Sequence, residues 1–427
     1  MISWFHKLGA ASGMRINTLR QMDYWVGRPI CGILTIAYKV KKAFLKKGPI
    51  KDPKKILLIK LFGMGSIILA FPSINAVKRK YPNSSIYFLT FKGNDELLTL
   101  TGMVSEQKIF SVRVDNLFNF IMDTVRQLFI LSRERIDVVI DLEFFSRFTA
   151  VLSFAIRSKY RIGFYGFHTE GLKRGSFIDF QVNYNHTLHT SQAFFTLLKP
   201  LGIYQEDFDP SIPRIPPTEK FRDKIMDMIK RCGGENRPEL ISQWIVINAN
   251  ASNLISLRRW PVEHFVALIN RLLDHDDSLG ILLIGEKNER SDVEALKKSC
   301  KPDKTSRIMN LAGMTGITDL VGLFHFSSLF ITNDSGPAHL ASLTDIPNVV
   351  LFGPETPDLY SPLGGKSKCL YLAMDCQPCV TVYNGKFSPC HNNVCLQRIS
   401  PDSVFKLAIE SLSASPFPRV PSSAEEV

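Results

Sequence analysis

Short apolar runs alternate with helical patterns along most of the chain. The first such unit is residues 56–61 (ILLIKL), a turn with two glycines, and a helical pattern that ends near Tyr81. Further apolar runs stand at residues 85–90 and 137–141. Strands that alternate with helices form βαβ units around a parallel sheet. The sequence therefore predicts an α/β fold.

The alternation stops at a proline-rich stretch, residues 209–218 (DPSIPRIPPT), and then starts again. Helical patterns at 219–231, 262–273 and 292–298 alternate with the predicted strands 244–248, 280–284, 329–332 and 349–352. A chain of 427 residues is too long for one ordinary domain. We therefore predict two α/β domains with a ligand in the cleft between them, near strand carboxyl ends.

Composition and pattern divide the chain into five predicted regions. They are a basic amphipathic arm (1–50), an N-terminal Rossmann-like domain (51–215), a C-terminal Rossmann-like domain (216–399), a C-terminal helix (400–415) and a flexible tail (416–427).

The positive charge is concentrated at the start of the chain. Residues 1–60 hold 13 Lys and Arg against 2 Asp, so they carry +11 of the net +12. A nucleic-acid binder would continue this charge over its folded body, which the sequence does not do. The apolar stretch 25–38 is short for a membrane span. Two interpretations remain: a helix packed on the protein, or a helix lying on an anionic membrane surface.

The turn Gly63-Met64-Gly65-Ser66 follows a strand and opens a helix, so its backbone could bind an anion. A dinucleotide fingerprint would need a glycine where Ile68 stands, and an acid at the end of the next strand. No Gly-Lys-Ser/Thr follows either, as a P-loop requires. Nicotinamide and P-loop chemistry are therefore excluded.

Polar motifs follow two strands of the second block. Arg258 and Arg259 precede Trp-Pro at a strand-to-helix connection, where guanidinium groups suit a diphosphate. Solvated surface arginines are the plainer interpretation. Further on, residues 332–339 (TNDSGPAH) again end a strand and enter a helix. There Asp334 as an N-cap and His339 as a core residue are the plainer roles.

These motifs, in this order, resemble the ADP-heptose:lipopolysaccharide heptosyltransferases, family 9 of the glycosyltransferases. The resemblance runs from Lys54 to about Ile399, and its most specific part is TNDSGPAHLAS followed by LFGPETP. It implies the GT-B architecture, two Rossmann-like domains facing a central cleft. It also implies a nucleotide-sugar donor in the C-terminal domain and an acceptor in the N-terminal one.

The resemblance also assigns donor-binding residues. The basic residue two before Trp-Pro, which contacts the diphosphate, is Arg258 here, and the acid that meets the ribose is Glu289. In the family, one segment surrounds the diphosphate and the sugar, and the residues here that match it are Asp334, Ser335, Gly336 and His339. A second element lies beside the nucleotide, and the residues that match it are Asn250 and Ser252.

One position departs from the family. Its members carry a catalytic Asp after the second glycine of the first turn, where this chain has Ser66. Serine is a poor general base at neutral pH. Asp141 and Glu143 stand at the end of a predicted strand, with Phe144 and Phe145 beside the latter. We therefore predict Glu143 as the base, in apolar surroundings that favour its protonated form, with Asp141 as an alternative or a helix cap and Ser66 orienting the acceptor.

The resemblance implies an inverting glycosyltransferase that moves a sugar, such as heptose, from a nucleotide diphosphate to lipopolysaccharide or a related glycolipid. A non-catalytic sugar-nucleotide or glycan-binding protein of the same fold is the alternative. With no secretory signal at its start, the chain is expected in the cytoplasm, at the inner face of the membrane. No cofactor or metal is needed, because Arg can neutralise the leaving diphosphate.

Five of the eight cysteines fall within 27 residues. Cys376, Cys379, Cys390 and Cys395 have part of the spacing of a four-ligand zinc site. Free thiols that pack a loop, and disulfides, are the other interpretations of this cluster.

Overall fold

The computed structural model describes residues 16–44, 47–165, 174–233, 241–251 and 256–413. They form two compact units. The first consists of the described parts of Met1–Phe62, Asn75–Tyr184 and Phe195–Asp207; the second consists of those of Gly63–Ile74, Asn185–Phe194 and Phe208–Val427. Each unit holds one six-stranded sheet in which every strand pair is parallel.

The sheet of the first unit has the strand order β3-β2-β1-β4-β5-β6. Its strands are β1 (Lys55–Ile59), β2 (Ser85–Phe91), β3 (Ile109–Val112), β4 (Val138–Asp141), β5 (Tyr160–Tyr165) and β6 (Phe180–Asn183). The central strand β1 is apolar and buried because helices cover both faces of a parallel sheet. Its register places Ile59 opposite Asp141, the last residue of β4.

The described residues of the first half of the chain form eight α-helices. They are α1 (Ile16–Trp25), α2 (Gly27–Phe44), α3 (Met64–Leu69), α4 (Phe71–Lys80), α5 (Asn94–Thr101), α6 (Leu117–Arg133), α7 (Arg147–Ala155) and α8 (Thr190–Thr196). The helix α3 and the first residues of α4 group with the second unit. The predicted domain boundaries at residues 50 and 215 stay a prediction.

The sheet of the second unit has the order β12-β11-β10-β7-β8-β9. Its strands are β7 (Gln243–Asn248), β8 (Leu279–Leu283), β9 (Ile308–Asn310), β10 (Leu329–Asn333), β11 (Asn348–Phe352) and β12 (Ser367–Tyr371). Its helices are α9 (Glu219–Gly233), α10 (Val262–His275), α11 (Arg290–Ser299), α12 (Ile317–Phe326), α13 (Gly336–Ala341), α14 (Pro357–Tyr360), α15 (Val394–Gln397) and α16 (Pro401–Ser413). The predicted α/β class with two Rossmann-like sheets is confirmed.

The basic arm contains two helices that pack on the first unit. Gly27 of α2 lies against Arg147 of α7, where a methyl group would come within 2.7 Å of the Arg147 Cβ. Cys31 and Tyr38 are buried in a small core with Ala150 and Phe177. This face of α2 therefore fits the interpretation of a helix packed on the protein. Within the described residues, no helix has both the length and the apolar character needed to cross a bilayer.

Candidate functional site

The site in the second unit is built at the carboxyl ends of β7, β10 and β11, which are neighbours in the sheet. Asn333, at the end of β10, is fully buried. Its side chain accepts a hydrogen bond from the Trp260 backbone N–H (3.0 Å) and donates to the Ala249 carbonyl (2.9 Å). Asn333 thus fixes the two connections that follow β7 and β10, which carry Arg258 and Asp334.

Four charged side chains form one cluster in this site: Arg258, Asp334, Glu355 and Lys386. Arg258 Nε lies 3.3 Å from Asp334 Oδ2, and Arg258 Nη2 pairs with Glu355. Lys386 pairs with the other oxygen of Glu355 and donates to the hydroxyl of Tyr360 (2.6 Å). Glu355 is 1% exposed and lies between the two cations. Arg258 and Asp334, which stand in two separate sequence motifs, therefore lie together in this cluster.

Burial sets the protonation behaviour of this cluster. It raises the pKa of Asp334 to about 6, with Arg258 acting in the opposite direction. For Glu355, burial also acts upward, but Arg258 and Lys386 outweigh it and hold the pKa below its usual range. Burial lowers the pKa of Lys386. Of the two carboxyl groups, Glu355 is thus the better partner for the cations and Asp334 the more easily protonated.

Several buried polar atoms at this site make no hydrogen bond to any described residue: Arg258 Nε, Asp334 Oδ2, His339 Nδ1 and Asn250 Nδ2. The 3.3 Å approach of Arg258 to Asp334 is an ion pair without hydrogen-bond geometry. Buried polar atoms in native proteins nearly always have partners. A polar ligand bound at this edge of the sheet would give these four atoms hydrogen-bond partners.

His339 is buried beside the turn that follows β1. Burial lowers its pKa to about 3, and His189 and Arg258 act in the same direction, so the ring is neutral at physiological pH. A Cβ on Gly65 would lie 2.4 Å from His339 Cδ2. Only glycine therefore fits at position 65, which explains the second glycine of that turn. The neighbouring Ser66 is half-buried on α3.

The residues before α13 position its first turn. Ser335 is the N-cap residue, rather than Asp334, and its hydroxyl lies 3.0 Å from Thr332 Oγ1 and 3.5 Å from Asn248 Nδ2. At Gly336, a Cβ would come within 3.1 Å of the Met64 side chain. These contacts leave Asp334 free of a capping role and directed to Arg258.

Asn250 and Glu289 meet around Gly285. A Cβ on Gly285 would lie 2.9 Å from Asn250 Nδ2 and 3.1 Å from Glu289 Oε2. The Glu289 carboxylate accepts a hydrogen bond from the Glu286 backbone N–H (2.8 Å), and burial raises its pKa. Its role toward a ribose stays a prediction. Ser252 lies outside the described residues.

In the first unit, Glu143 is held by the end of β1. Its Oε1 accepts hydrogen bonds from Lys60 Nζ and from the backbone N–H groups of Leu61 and Phe62, each at 2.9 Å. Its Oε2 makes no hydrogen bond to a described residue. The expected apolar surroundings are therefore wrong, because the register of β1 with β4 brings Lys60 to this carboxylate.

The rings beside Glu143 have partners of their own. Phe144 packs against Phe164, with ring centroids 5.5 Å apart, and Phe145 packs edge-on against Tyr184 at 5.8 Å. The two phenylalanines thus contribute to an aromatic cluster of the first unit.

Asp141 forms a buried ion pair with Arg174, which also donates to the Glu143 carbonyl (3.0 Å) and to Thr149 Oγ1 (3.1 Å). Burial raises the pKa of Asp141 to about 6 against the effect of Arg174. The cap of α7 is Ser146, whose side chain accepts from the Thr149 N–H, so the capping role expected for Asp141 is wrong. Asp141 and Arg174 hold the loop that carries Glu143.

The cysteine cluster shows no metal geometry. All eight cysteines are free thiols. Within the described part of the chain, no group of three or more His, Cys, Asp and Glu side chains could hold a metal ion. Cys395 is buried and Cys376 exposed.

The sequence analysis missed three residues with charged partners at the site: Glu355 and Lys386, which pair with each other in the second unit, and Arg174, which pairs with Asp141 in the first. Glu355 stands inside the motif FGPETP, so its position was a usable signal. Lys386 follows a stretch with no strand or helix pattern and reaches Glu355 from 31 residues away. No local pattern in the sequence could have paired these two.

Several known proteins are similar in sequence to this chain. Residues 128–386 match the family model of glycosyltransferase family 9 (heptosyltransferase). Lipopolysaccharide heptosyltransferase 3 of Escherichia coli K12 is 23% identical over 68% of this chain and 79% of its own length. Lipooligosaccharide heptosyltransferase 2 of Campylobacter jejuni is 30% identical, over 38% of this chain and 48% of its own length.

Solved structures share the fold. The ADP-heptose LPS heptosyltransferase II of E. coli matches with a TM-score of 0.66 and 19% identity, over 84% of this chain and 99% of that one. A family 9 glycosyltransferase from Veillonella parvula matches with a TM-score of 0.65 and 20% identity, over 86% and 99%. The family model covers more than half of the chain. The chain therefore belongs to glycosyltransferase family 9 and is a glycosyltransferase.

Proposed function

We propose that this glycosyltransferase moves heptose from ADP-heptose to a lipopolysaccharide-core glycolipid, with inversion at the anomeric carbon. The observation that carries the donor assignment is the cluster of Arg258 and Asp334 with its unsatisfied buried atoms. The diphosphate supplies oxygen atoms for Arg258 Nε and His339 Nδ1. ADP-heptose and lipopolysaccharide are the donor and acceptor of similar enzymes of this family.

Binding of the diphosphate would rearrange the charged cluster. Arg258 is the natural partner of a diphosphate, because a guanidinium can bind two oxygens at once. As Arg258 turns to the phosphates, Glu355 keeps Lys386 as its partner. Asp334 then faces added negative charge and binds a proton more readily, because its pKa is already raised by burial.

In the chemical step, the acceptor hydroxyl attacks the anomeric carbon as the bond to the diphosphate breaks. Glu143 takes the hydroxyl proton on Oε2, while Oε1 is anchored by Lys60 and two backbone N–H groups. Arg258 stabilises the negative charge that ADP carries away, as oxyanion-binding groups do. Ser66 orients the acceptor. Asp141 positions Glu143 through Arg174.

We further propose that the enzyme works at the inner face of the cytoplasmic membrane, held there by its basic arm. The first sixty residues carry +11, and each basic residue near an anionic leaflet contributes about 1 kcal/mol. A glycolipid acceptor makes such attachment useful, because it places the enzyme where the acceptor is anchored.

A transfer assay tests the function directly. Purified protein is incubated with ADP-heptose and with lipopolysaccharide from a strain that lacks core heptose, and the product is analysed by mass spectrometry. We expect a product heavier by one heptosyl residue, and ADP-heptose should raise the melting temperature of the protein. Absence of transfer, together with a melting shift caused by a different nucleotide sugar, would refute the donor assignment.

A further inference from the structure

The helix α6 exposes an apolar stripe that its own fold does not use. Phe118, Met122, Val125 and Phe129 are 52–71% exposed, and Ile121 beside them is 49% exposed. Their spacing of four, three and four residues places them on one side of the helix. Contiguous apolar surface of this kind is uncommon on a soluble protein and marks an interaction site.

The opposite side of α6 already supplies what the fold needs. Phe120 and Leu131 are buried in the core of the first unit, where they pack with side chains of β2, β3 and β4. Asp123, also on that side, pairs with Arg113 at 2.8 Å. The exposed stripe is therefore additional to the packing face and is available to a partner.

A second stripe lies on α2. Ile33, Ile36 and Val40 are 59–68% exposed, whereas Cys31 and Tyr38 of the same helix are buried against the first unit. Like α6, α2 is apolar on two sides. Both helices contact α7 of the first unit.

Exposed cations accompany both stripes. Arg126, Arg133 and Arg135 are exposed on α6 or directly after it. Of the acidic residues of this region, Asp123 pairs with Arg113 and Glu134 with Lys55. Asp115, just before α6, is exposed and accepts hydrogen bonds from Asn116 and Asn119. On α2, the exposed cations are Arg28, Lys39 and Lys42. Apolar side chains bordered by Arg and Lys are the pattern of an interfacial helix on anionic lipid.

We infer that α6 and α2 together form a docking surface for an anionic phospholipid bilayer, with α6 as a contact independent of the basic arm. The apolar stripes enter the boundary between headgroups and acyl chains, and the cations bind lipid phosphates. The inference deepens the proposed membrane attachment and rests on it for the glycolipid acceptor. A bilayer is favoured over a second copy of the chain because like-charged cations border both stripes.

The test uses the full chain with Phe118→Ser, Val125→Ser and Phe129→Ser combined. These side chains are exposed, so the triple variant should fold with an unchanged melting temperature. Its binding is measured by co-sedimentation with vesicles of phosphatidylglycerol and phosphatidylcholine. We expect its partition coefficient to fall about ten-fold or more, because three apolar side chains no longer enter the lipid. The matched control is Tyr204→Ser with Val262→Ser, two exposed apolar residues elsewhere, which should bind like the wild type.

A second variant separates charge from apolar contact. Arg126→Gln, Arg133→Gln and Arg135→Gln combined should weaken binding to phosphatidylglycerol vesicles, and most at low salt. Binding to pure phosphatidylcholine should change little, because that lipid has no net charge.

Two results would overturn the inference. One is wild-type vesicle binding by the α6 serine variant. The other is loss of a dimer in sedimentation velocity, without loss of vesicle binding, which would assign the stripe to a second copy of the chain. Transfer to a delipidated, water-soluble acceptor tests the proposed function separately. If the variant transfers heptose normally but also binds vesicles normally, only the docking surface is wrong; if the wild type fails to transfer but binds through α6, only the proposed function is wrong.

Discussion

The two units hold charged clusters of different construction. In the first unit, each buried carboxylate has a cation of its own, Glu143 with Lys60 and Asp141 with Arg174. In the second, Arg258 is shared by Asp334 and Glu355, and polar atoms of both Arg258 and Asp334 lack hydrogen bonds within the described residues. A carboxylate with its own cation fixes the position of the loop that carries it. A cation shared by two carboxylates can instead change its partner when an anion binds. The difference supports our proposal that the first unit positions the base and the second unit binds the donor.

The largest effect is expected from Glu143→Gln in the first unit. Glutamine retains an oxygen that can accept the Leu61 and Phe62 N–H groups, but it cannot take a proton from the acceptor. Turnover at saturating donor should fall ~10²–10⁴-fold, the usual worth of a general base. The measurement is ADP release in the steady state. A variant that keeps more than about a tenth of the wild-type rate would show that Glu143 only anchors the end of β1.

A smaller effect is expected from Lys386→Met in the second unit. Methionine keeps the length of the side chain but removes the charge that Glu355 needs once Arg258 turns to the diphosphate. Arg258 should then stay with Glu355, and ADP should bind about ten-fold more weakly, the loss of one charge-assisted contact.

The matched control is Lys368→Met, which removes an exposed lysine paired with Glu410 on the same unit. It should leave ADP binding unchanged. If Lys386→Met also binds ADP normally in calorimetry, Arg258 does not need Lys386 in order to leave Glu355 for the diphosphate. The proposed exchange of partners between Arg258 and Glu355 is then wrong.

The smallest effect concerns stability and pH. Because burial raises the pKa of Asp334 to about 6 from its usual 3.8, the folded protein keeps a proton there that the unfolded chain has lost. The free energy of unfolding should therefore fall as the pH rises from about 4 to about 6. Above that range, the buried charge costs about 3 kcal/mol.

Asp334→Asn removes this cost while Arg258 keeps Glu355. We expect the variant to be more stable than the wild type to urea at pH 7 and to lose less stability between pH 4 and 6. A variant with the same pH profile as the wild type would show that Asp334 stays charged throughout.

The α/β class and several of the strands could be predicted from the sequence. The predicted strands at 244–248 and 280–284 nearly coincide with β7 and β8, because buried parallel strands are continuous apolar runs bounded by turns. Five strands were not predicted: β3, β5, β6, β9 and β12. Of these, β6 (FQVN) and β12 (SKCLY) are only partly buried, so their sequences show no continuous apolar run.

The sequence indicates the surroundings of the proposed donor residues better than those of the proposed base. Arg258 and Asp334 stand in motifs whose spacing follows strand ends, and strand ends meet at one edge of a sheet. The surroundings of Glu143 depend instead on which strand lies beside β4, and the sequence does not state that pairing. Lys386 lies in a turn in which it and Gly385 both have positive φ angles, 62° and 64°. Such a turn leaves no periodic signal.

The proposal that the second unit binds the donor while the first unit holds the base is tested most directly by calorimetry. ADP is titrated into two variants, Arg258→Ala and Glu143→Gln. We expect ADP affinity to fall about 100-fold in Arg258→Ala, the loss of a two-oxygen contact with charge, and to stay at the wild-type value in Glu143→Gln. Wild-type affinity in Arg258→Ala, or an equal loss in both variants, would contradict the assignment of donor binding to the charged cluster of the second unit.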